Sequence, residues 1–266
     1  MRLTGREQRF HPDYSRLERL YIAALGVPVV GLRIRARNVL QLIPRDLRPR
    51  RVLDAGSGPG VITFALADRF PDAEVVGVDL DAEAVRASRV IAERAGYQNA
   101  RFERGDLCAL RDAGFDLVTC VDILEHVEDD DAGVLGLARC LEPGGTLVLH
   151  VPSRFRRYPL LAKAENFAVP THVRPGYDLD EIVHKARRAG LEVVDAGQTY
   201  GLCETLANNV SYMVTKAEKK NRELYALLFP WLHGLAWLGR GARPRRLGAG
   251  LFVVARKPRF ETRSPR

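Results

Sequence analysis

Residues 52–60 join a short apolar strand to a loop that has glycine at every second position. Asp54 closes the apolar run, and Gly56, Gly58 and Gly60 follow. Because glycine has no side chain and tolerates a positive φ, such a loop can turn tightly and let a ligand approach the backbone. This stretch restricts the chain to folds in which a buried strand ends in a tight glycine turn, which either binds a ligand or only reverses the backbone.

The next apolar strand, residues 74–78, ends at Asp79. A carboxylate at this position can accept hydrogen bonds from two neighbouring ribose hydroxyls. The dinucleotide fingerprint needs glycine three residues after its second glycine, where this chain has Val61. The spacing therefore favours a nucleoside cofactor that has no phosphates to hold.

Strand and helix patterns alternate from residue 51 to about residue 195, which is typical of a parallel sheet covered on both faces. The predicted strands are Arg51–Asp54, Glu74–Val78, Ala100–Glu103, Phe115–Val121, Thr146–Val151, Leu191–Val194 and Leu251–Ala255. Roughly 45 residues separate the last two strands, and connections of that length are usually functional. We predict two helices in this insert, over about Cys203–Lys219 and Asn221–Leu238.

The D-x-G-x-G-x-G loop, with a second acid at the end of the next strand, resembles the class I S-adenosylmethionine (SAM) dependent methyltransferases over about residues 50–195. The resemblance implies an α/β fold with a Rossmann-like seven-stranded sheet, mostly parallel with an antiparallel last strand, and helices on both faces. We divide the chain into an N-terminal helical lid (1–49), a SAM-binding core (50–200), a helical cap insert (201–247), a last core strand (248–258) and a basic tail (259–266).

By the same resemblance, the glycine loop contacts the methionine part of SAM, Asp54 supports the loop and the ligand's amino end, and Asp79 holds the ribose. Asp106 accepts from the adenine amino group, with Leu107 beside the ring. The implied product is S-adenosylhomocysteine. The predicted cofactor-binding residues are Asp54, Gly56, Ser57, Gly58, Gly60, Asp79, Leu80, Asp106, Leu107, Val121 and Asp122.

The run Leu124–Val127 follows the fourth strand and contains His126, which suits a general base because histidine titrates near neutral pH. Two alternatives remain open: His126 packs beside SAM, or it binds a divalent ion with Glu125 and His150. His172 and Tyr177 lie in a polar loop after the fifth strand, where this fold lines its acceptor pocket. We predict His126, His172 and Tyr177 as catalytic candidates and assign no metal site.

The charge is distributed unevenly: the net charge is +7 over residues 1–50, −9 over 51–215 and +10 over 216–266. Basic flanks favour an anionic partner, although exposed charge runs are often only solvated. Residues 224–238 are unusually apolar and contain both tryptophans, but they are too few to cross a bilayer, which takes about 20 residues. This segment could pack in the core, line an apolar acceptor pocket, or lie on a membrane surface.

We predict a SAM-dependent methyltransferase that acts on a small, largely apolar acceptor such as a lipid, a polyketide or a quinone-like phenol, with oxygen favoured as the methylated atom. An RNA methyltransferase and a non-catalytic SAM-binding partner are the alternatives. Nucleic acid is disfavoured because the tryptophans lie in a leucine-rich helix without interleaved basic residues. We find no signal peptide and no CxxC spacing, so we expect reduced cysteines and a cytoplasmic location, with peripheral membrane contact left open.

Overall fold

The computed structural model describes residues 4–110, 112–156, 164–165, 171–216, 222–239 and 248–259. The strands are β1 (Arg51–Ala55), β2 (Glu74–Asp79), β3 (Ala100–Arg104), β4 (Phe115–Val121), β5 (Leu141–Pro152), the short pair β6 (Phe155–Arg156) and β7 (Ala164–Glu165), β8 (Glu192–Thr199) and β9 (Gly250–Arg256). The helices are α1 (Arg16–Leu25), α2 (Val30–Leu42), α3 (Val61–Arg69), α4 (Ala82–Ala95), α5 (Asp130–Cys140), α6 (Leu179–Arg188), α7 (Leu202–Lys216) and α8 (Arg222–Leu238).

Seven strands form one sheet in the order β3-β2-β1-β4-β5-β9-β8. Neighbours from β3 to β5 are parallel, and β9 runs antiparallel to both β5 and β8. This arrangement confirms the predicted Rossmann-like sheet with an antiparallel last strand. The carboxyl ends of β1, β2 and β4 meet at one edge, where open α/β sheets bind their ligands.

Successive residues of each central strand point to opposite faces of the sheet, and each face has its own core. Leu53 of β1 packs in a cluster with α5 and α6, whereas its neighbour Val52 packs in a second cluster with α2 and α3. Both side chains are almost fully buried. Helices therefore cover both faces, as the alternating pattern predicts.

Two strands extend beyond their predicted ends by several residues rather than by one. β5 begins at Leu141, before the Pro-Gly-Gly turn, because Leu141 pairs with Phe115 of β4. β8 continues to Thr199 because it pairs with β9 along its whole length, with an irregularity between Val193 and Asp195. Much of β8 is only partly buried, so its residues lack the apolar signal that marks a central strand.

The N-terminal helices and the insert between β8 and β9 pack against each other. Val30 and Ile34 of α2 share a buried cluster with Phe229, Leu232 and Ala236 of α8. This contact supports the core-packing interpretation for one face of the apolar helix. Our division into lid, core, cap and tail remains a prediction, and residues 260–266 of the tail lie outside the described part of the chain.

Candidate functional site

The glycine loop after β1 is bent back onto the end of β2. The amide N–H groups of Gly56 and Ser57 both donate to the carbonyl oxygen of Val78, at 2.7 and 3.0 Å. Gly56 has a φ of 80°, and a Cβ there would overlap the side chain of Ile123. Gly60 has a φ of 78°, caps α3, and would meet Phe102 if it carried a side chain. The loop conformation therefore requires glycine at these two positions.

Asp54 is buried beneath this loop. Its two carboxylate oxygens accept from the hydroxyls of Thr63 at 2.7 Å and Thr119 at 2.8 Å. Burial raises the pKa of Asp54 to about 6, against the opposing effect of these two hydrogen bonds. Asp54 thus ties β1 to α3 and β4, and it supports the loop from within.

Asp79 reaches the loop from the end of β2. One carboxylate oxygen accepts from Gly58 N–H at 2.6 Å and the other from Asp81 N–H at 2.9 Å. The next residue, Leu80, is exposed, whereas the hydroxyl of Ser57 is buried with no hydrogen-bond partner among the described residues. An acceptor carboxylate and an unsatisfied hydroxyl beside an open glycine turn fit a nucleoside ligand that carries hydroxyl and amino groups.

Asp106 and Leu107 follow β3 at the start of a short 3-10 helix. Asp106 accepts from Cys108 N–H at 2.9 Å and caps this turn. Leu107 is buried in the core, where it lies close to Gly133 and Gly136 of α5. The Leu107 side chain therefore packs on α5, and its implied place beside the adenine ring stays a prediction.

Asp122, directly after β4, lies at the centre of a polar chain. It accepts from Arg35 of α2 at 2.6 Å and pairs with Nδ1 of His150 at 2.6 Å, while Nε2 of His150 contacts the Thr199 hydroxyl at 2.8 Å. Burial alone would raise the pKa of Asp122, but Arg35 and His150 outweigh it and hold that pKa below its usual range. Asp122 also has a φ of 52°, and its neighbour Val121 is buried.

A second polar group lies near the carboxyl end of β4. It consists of Glu125 and His126, which follow β4, and His172 from the loop after β5, and their possible ligand atoms all lie within 4.8 Å of one another. The rings of His126 and His172 meet edge to face at 4.6 Å. His126 is exposed, and its Nδ1 lies 3.0 Å from the Thr171 carbonyl oxygen. Since a carbonyl oxygen only accepts, Nδ1 carries the proton and Nε2 presents a lone pair.

Glu125 is 1% exposed, and its Oε2 finds no hydrogen-bond partner among the described residues. Burial raises the pKa of Glu125 well above its usual range, and the charge of Asp122 raises it further. His150 does not belong to this group because both of its ring nitrogens are engaged by Asp122 and Thr199. His172 takes the place that the sequence assigned to His150.

The structure gives Tyr177 a packing role, and its catalytic role stays a prediction. Its side chain is fully buried, and its hydroxyl donates to Asp130 at 2.8 Å. Burial raises the pKa of Tyr177 further above its usual range. Arg174 donates to the Tyr177 hydroxyl and to the carbonyl of Val127. Tyr177 and Arg174 therefore hold the loop that carries His172.

A cavity of about 1220 Å³ lies between α2, α3 and the N-terminal 3-10 helix Arg6–Phe10, away from Asp79 and Asp122. We place the candidate site at the strand ends instead, because the strained loop and the acids converge there. Sequence reasoning missed Arg35 and Thr199. The only signal for Arg35 was a row of arginines at alternate positions of an otherwise apolar helix, at 33, 35 and 37.

Comparisons with known proteins agree with this geometry. The sequence model of the family described as "Methyltransferase domain" matches residues 48–218. The ubiquinone biosynthesis O-methyltransferase of Neisseria meningitidis serogroup C is 29% identical over 186 residues, covering 63% of this chain and 77% of the relative. The protein of that name from Paracidovorax citrulli is 35% identical over 119 residues, covering 44% and 49%.

Among solved structures, phosphoethanolamine N-methyltransferase 2 of Haemonchus contortus, in complex with SAM, superposes with a TM-score of 0.63 at 17% identity, covering 84% of this chain and 52% of that one. A putative methyltransferase from Bacillus halodurans gives 0.55 at 21% identity, covering 84% and 98%. These structures show the shared fold. The family match over more than half of the chain decides against a non-catalytic protein: this chain belongs to the class I SAM-dependent methyltransferases and is an enzyme that uses SAM.

Proposed function

We propose that this enzyme transfers the methyl group of SAM to a hydroxyl oxygen of a small, largely apolar acceptor. The observation that carries the proposal is the group formed by Glu125, His126 and His172, which adds an acid–base centre directly after β4. The relatives named as O-methyltransferases of ubiquinone biosynthesis support an oxygen on a quinone-like ring as the methylated atom.

In this proposal, SAM lies across the ends of β1, β2 and β4. The loop Gly56–Gly60 and the free hydroxyl of Ser57 face its methionine part, and Asp79 accepts from the two ribose hydroxyls. Asp79 then exchanges its bond to Gly58 N–H for the ligand. Asp106 accepts from the adenine amino group, and the exposed Leu80 covers apolar surface of the ligand.

Methyl transfer is an in-line displacement: the acceptor oxygen forms a bond to the methyl carbon while the bond to the sulfonium sulfur breaks. The products are the methyl ether, S-adenosylhomocysteine and a proton. SAM is already activated, so the enzyme mainly positions the reactants and accepts the proton. Nε2 of His126 can accept it, because the Thr171 carbonyl keeps the other ring proton on Nδ1.

The same atoms also suit a divalent ion. A carboxylate and two imidazoles are ligands for Zn²⁺ or Mn²⁺, and the hydrogen bond from His126 Nδ1 to a carbonyl is the support that metal-bound histidines usually have. The buried Glu125 Oε2 without a partner fits this use. A bound ion would lower the pKa of an acceptor hydroxyl, so proton removal would depend less on His126.

The test uses SAM with a labelled methyl group and a panel of apolar phenols and catechols, with the label measured in the organic phase. We expect His126→Gln to lower kcat at least about 100-fold, the usual contribution of a general base, while the Kd for SAM stays unchanged. His184→Gln, an exposed histidine on α6, is the matched control and should keep full activity. Asp79→Ala should lose SAM binding.

Metal dependence is read in the same assay. If a chelator abolishes turnover and Zn²⁺ or Mn²⁺ restores it, the three side chains act as ligands; unchanged turnover supports His126 as the base. The proposal is wrong if His126→Gln keeps wild-type kcat both with and without chelator, or if RNA added to the same assay is labelled while no label reaches the organic phase.

A further inference from the structure

Helix α8 has an apolar face that no other element covers among the residues the structure describes. Leu227 is 70% exposed, Trp231 is 78% exposed and Leu238 is 71% exposed. Together with the exposed Leu224 they are spaced by three, four and seven residues, which places them on one side of a helix. We call these four residues the α8 apolar stripe.

The opposite side of α8 already provides the packing that the fold needs. Phe229, Leu232 and Ala236 are buried against α2 and α7. The stripe therefore does not serve the internal core. A helix that is apolar on its outer side also usually has another surface to cover that side.

Exposed apolar side chains also occur on the neighbouring helices. α1 packs on α8 through the Tyr21 hydroxyl, which donates to the Ala226 carbonyl at 2.7 Å. Leu17 and Leu20 of α1 are exposed, as is Met213 of α7, the helix that pairs with α8. Ten of the fifteen large apolar side chains that are exposed in the described part of the chain belong to α1, α7 and α8.

The positive charge on both sides of α8 in the sequence favours an anionic partner. In sequence, residues 216–222 carry four Lys or Arg and one Glu, and residues 240–246 carry four Arg and no acid. Basic residues at both ends of an apolar helix are typical of helices that lie in the interface of an anionic membrane, where Lys and Arg are attracted to the lipid headgroups. A protein partner would not require positive charge at both ends.

Two further observations agree with a flat, extended partner. No helix in the described residues is long and apolar enough to cross a bilayer. The stripe does not line either of the cavities of about 1220 and 480 Å³. We propose that α8 lies on an anionic lipid bilayer, with Leu227, Trp231 and Leu238 in the headgroup region. This proposal does not rest on the proposed acceptor.

The experiment adds vesicles to the full-length protein without SAM or acceptor. Both tryptophans of the chain, Trp231 and Trp237, lie in α8, so tryptophan fluorescence, excited where tyrosine does not absorb, reports on this helix alone. We expect a blue shift and co-sedimentation with phosphatidylglycerol vesicles, weak binding to phosphatidylcholine vesicles, and at least a tenfold loss of binding between 50 mM and 500 mM salt, on the order expected for several screened charges.

The double variant Leu227→Glu and Leu238→Glu should bind phosphatidylglycerol vesicles at least about tenfold more weakly, because two apolar anchors are replaced by charges that lipid headgroups repel. Val194→Glu, at an exposed apolar position of β8, is the matched control and should bind like the wild type. Thermal unfolding of each variant verifies the fold.

Three results would overturn the proposal. The first is equal binding to neutral and anionic vesicles, and the second is unchanged binding in the double variant. The third is a wild-type dimer that the double variant abolishes while neither protein binds vesicles, which would make a second copy the partner of the stripe.

Discussion

Replacing Gly56 by alanine tests whether the loop depends on the residue that follows Asp122. A Cβ at Gly56 would overlap Cγ1 and Cδ1 of Ile123 and lie 3.1 Å from its Cβ. The φ of 80° costs alanine about 1–2 kcal/mol, and overpacking typically adds about 1–3 kcal/mol. We therefore expect the free energy of unfolding to fall by about 2–5 kcal/mol, measured by urea denaturation.

Two other glycines separate the two contributions. Gly96 has a φ of 79° and open space around it, so Gly96→Ala should lose only the backbone part, about 1–2 kcal/mol. Gly58 has a φ of 50° and equally open space, so its alanine variant should unfold like Gly96→Ala. Only Gly58→Ala should also weaken SAM binding in calorimetry, because its methyl group would occupy the proposed ligand cleft.

Removing the clash should restore stability. Adding Ile123→Ala to the Gly56→Ala protein should recover about 1–3 kcal/mol relative to the sum of the two single changes. If Gly56→Ala and Gly96→Ala lose the same free energy, or if the double variant shows no recovery, the contact between the loop and Ile123 does not hold the loop and the reasoning is refuted.

Three further changes test the buried polar groups. The pKa of Asp54 is raised to about 6, so the folded state binds a proton more tightly than the unfolded state. As pH rises from about 4 to about 6, wild-type stability should therefore fall by about 3 kcal/mol relative to that of Asp54→Asn. If chemical denaturation gives both proteins the same dependence of stability on pH, this prediction is contradicted. Tyr177→Phe removes one of three donors to Asp130, which keeps Arg174 and Lys185, and should cost about 0.5–1.5 kcal/mol of stability with kcat unchanged; a large loss of kcat in a stable protein would support a catalytic role for Tyr177. Arg35→Met should destabilise the protein by about 1–3 kcal/mol at pH 7. In acid, where Asp122 is protonated, the loss should be smaller, because the lowered pKa of Asp122 stabilises the fold only while that carboxylate is charged. An equal loss of stability at both pH values in thermal unfolding would refute the pairing of Arg35 with Asp122.

Much of the cofactor side could be predicted because its signals are local in the chain. Asp54 and the loop Gly56–Gly60 are contiguous, and Asp79 ends the next strand. A parallel sheet then brings the carboxyl ends of neighbouring strands to one edge, so the pattern of strands alone predicts that these acids meet. The parallel direction of the first five strands followed from the same alternation, whereas the antiparallel last strand was implied by the resemblance to the methyltransferases.

The acceptor side depends on contacts between distant segments. The carbonyl that orients His126 belongs to Thr171, 45 residues away, and Arg35 meets Asp122 across 87 residues. No periodicity along the chain encodes such a contact. Only the folded chain therefore shows that His172 and not His150 joins His126.

Which side chains are buried could likewise be predicted only in part from the sequence. The sequence by itself determined the glycine loop, the alternation of strands and helices, and an apolar helix near the end, because each depends on the local pattern of neighbouring residues. Only the tertiary structure decided that Phe229 is buried while Trp231 is exposed, and that the Tyr177 hydroxyl is used by Asp130. The reason is physical: burial depends on what packs against a side chain, and for these residues the partners come from elements far away in the sequence.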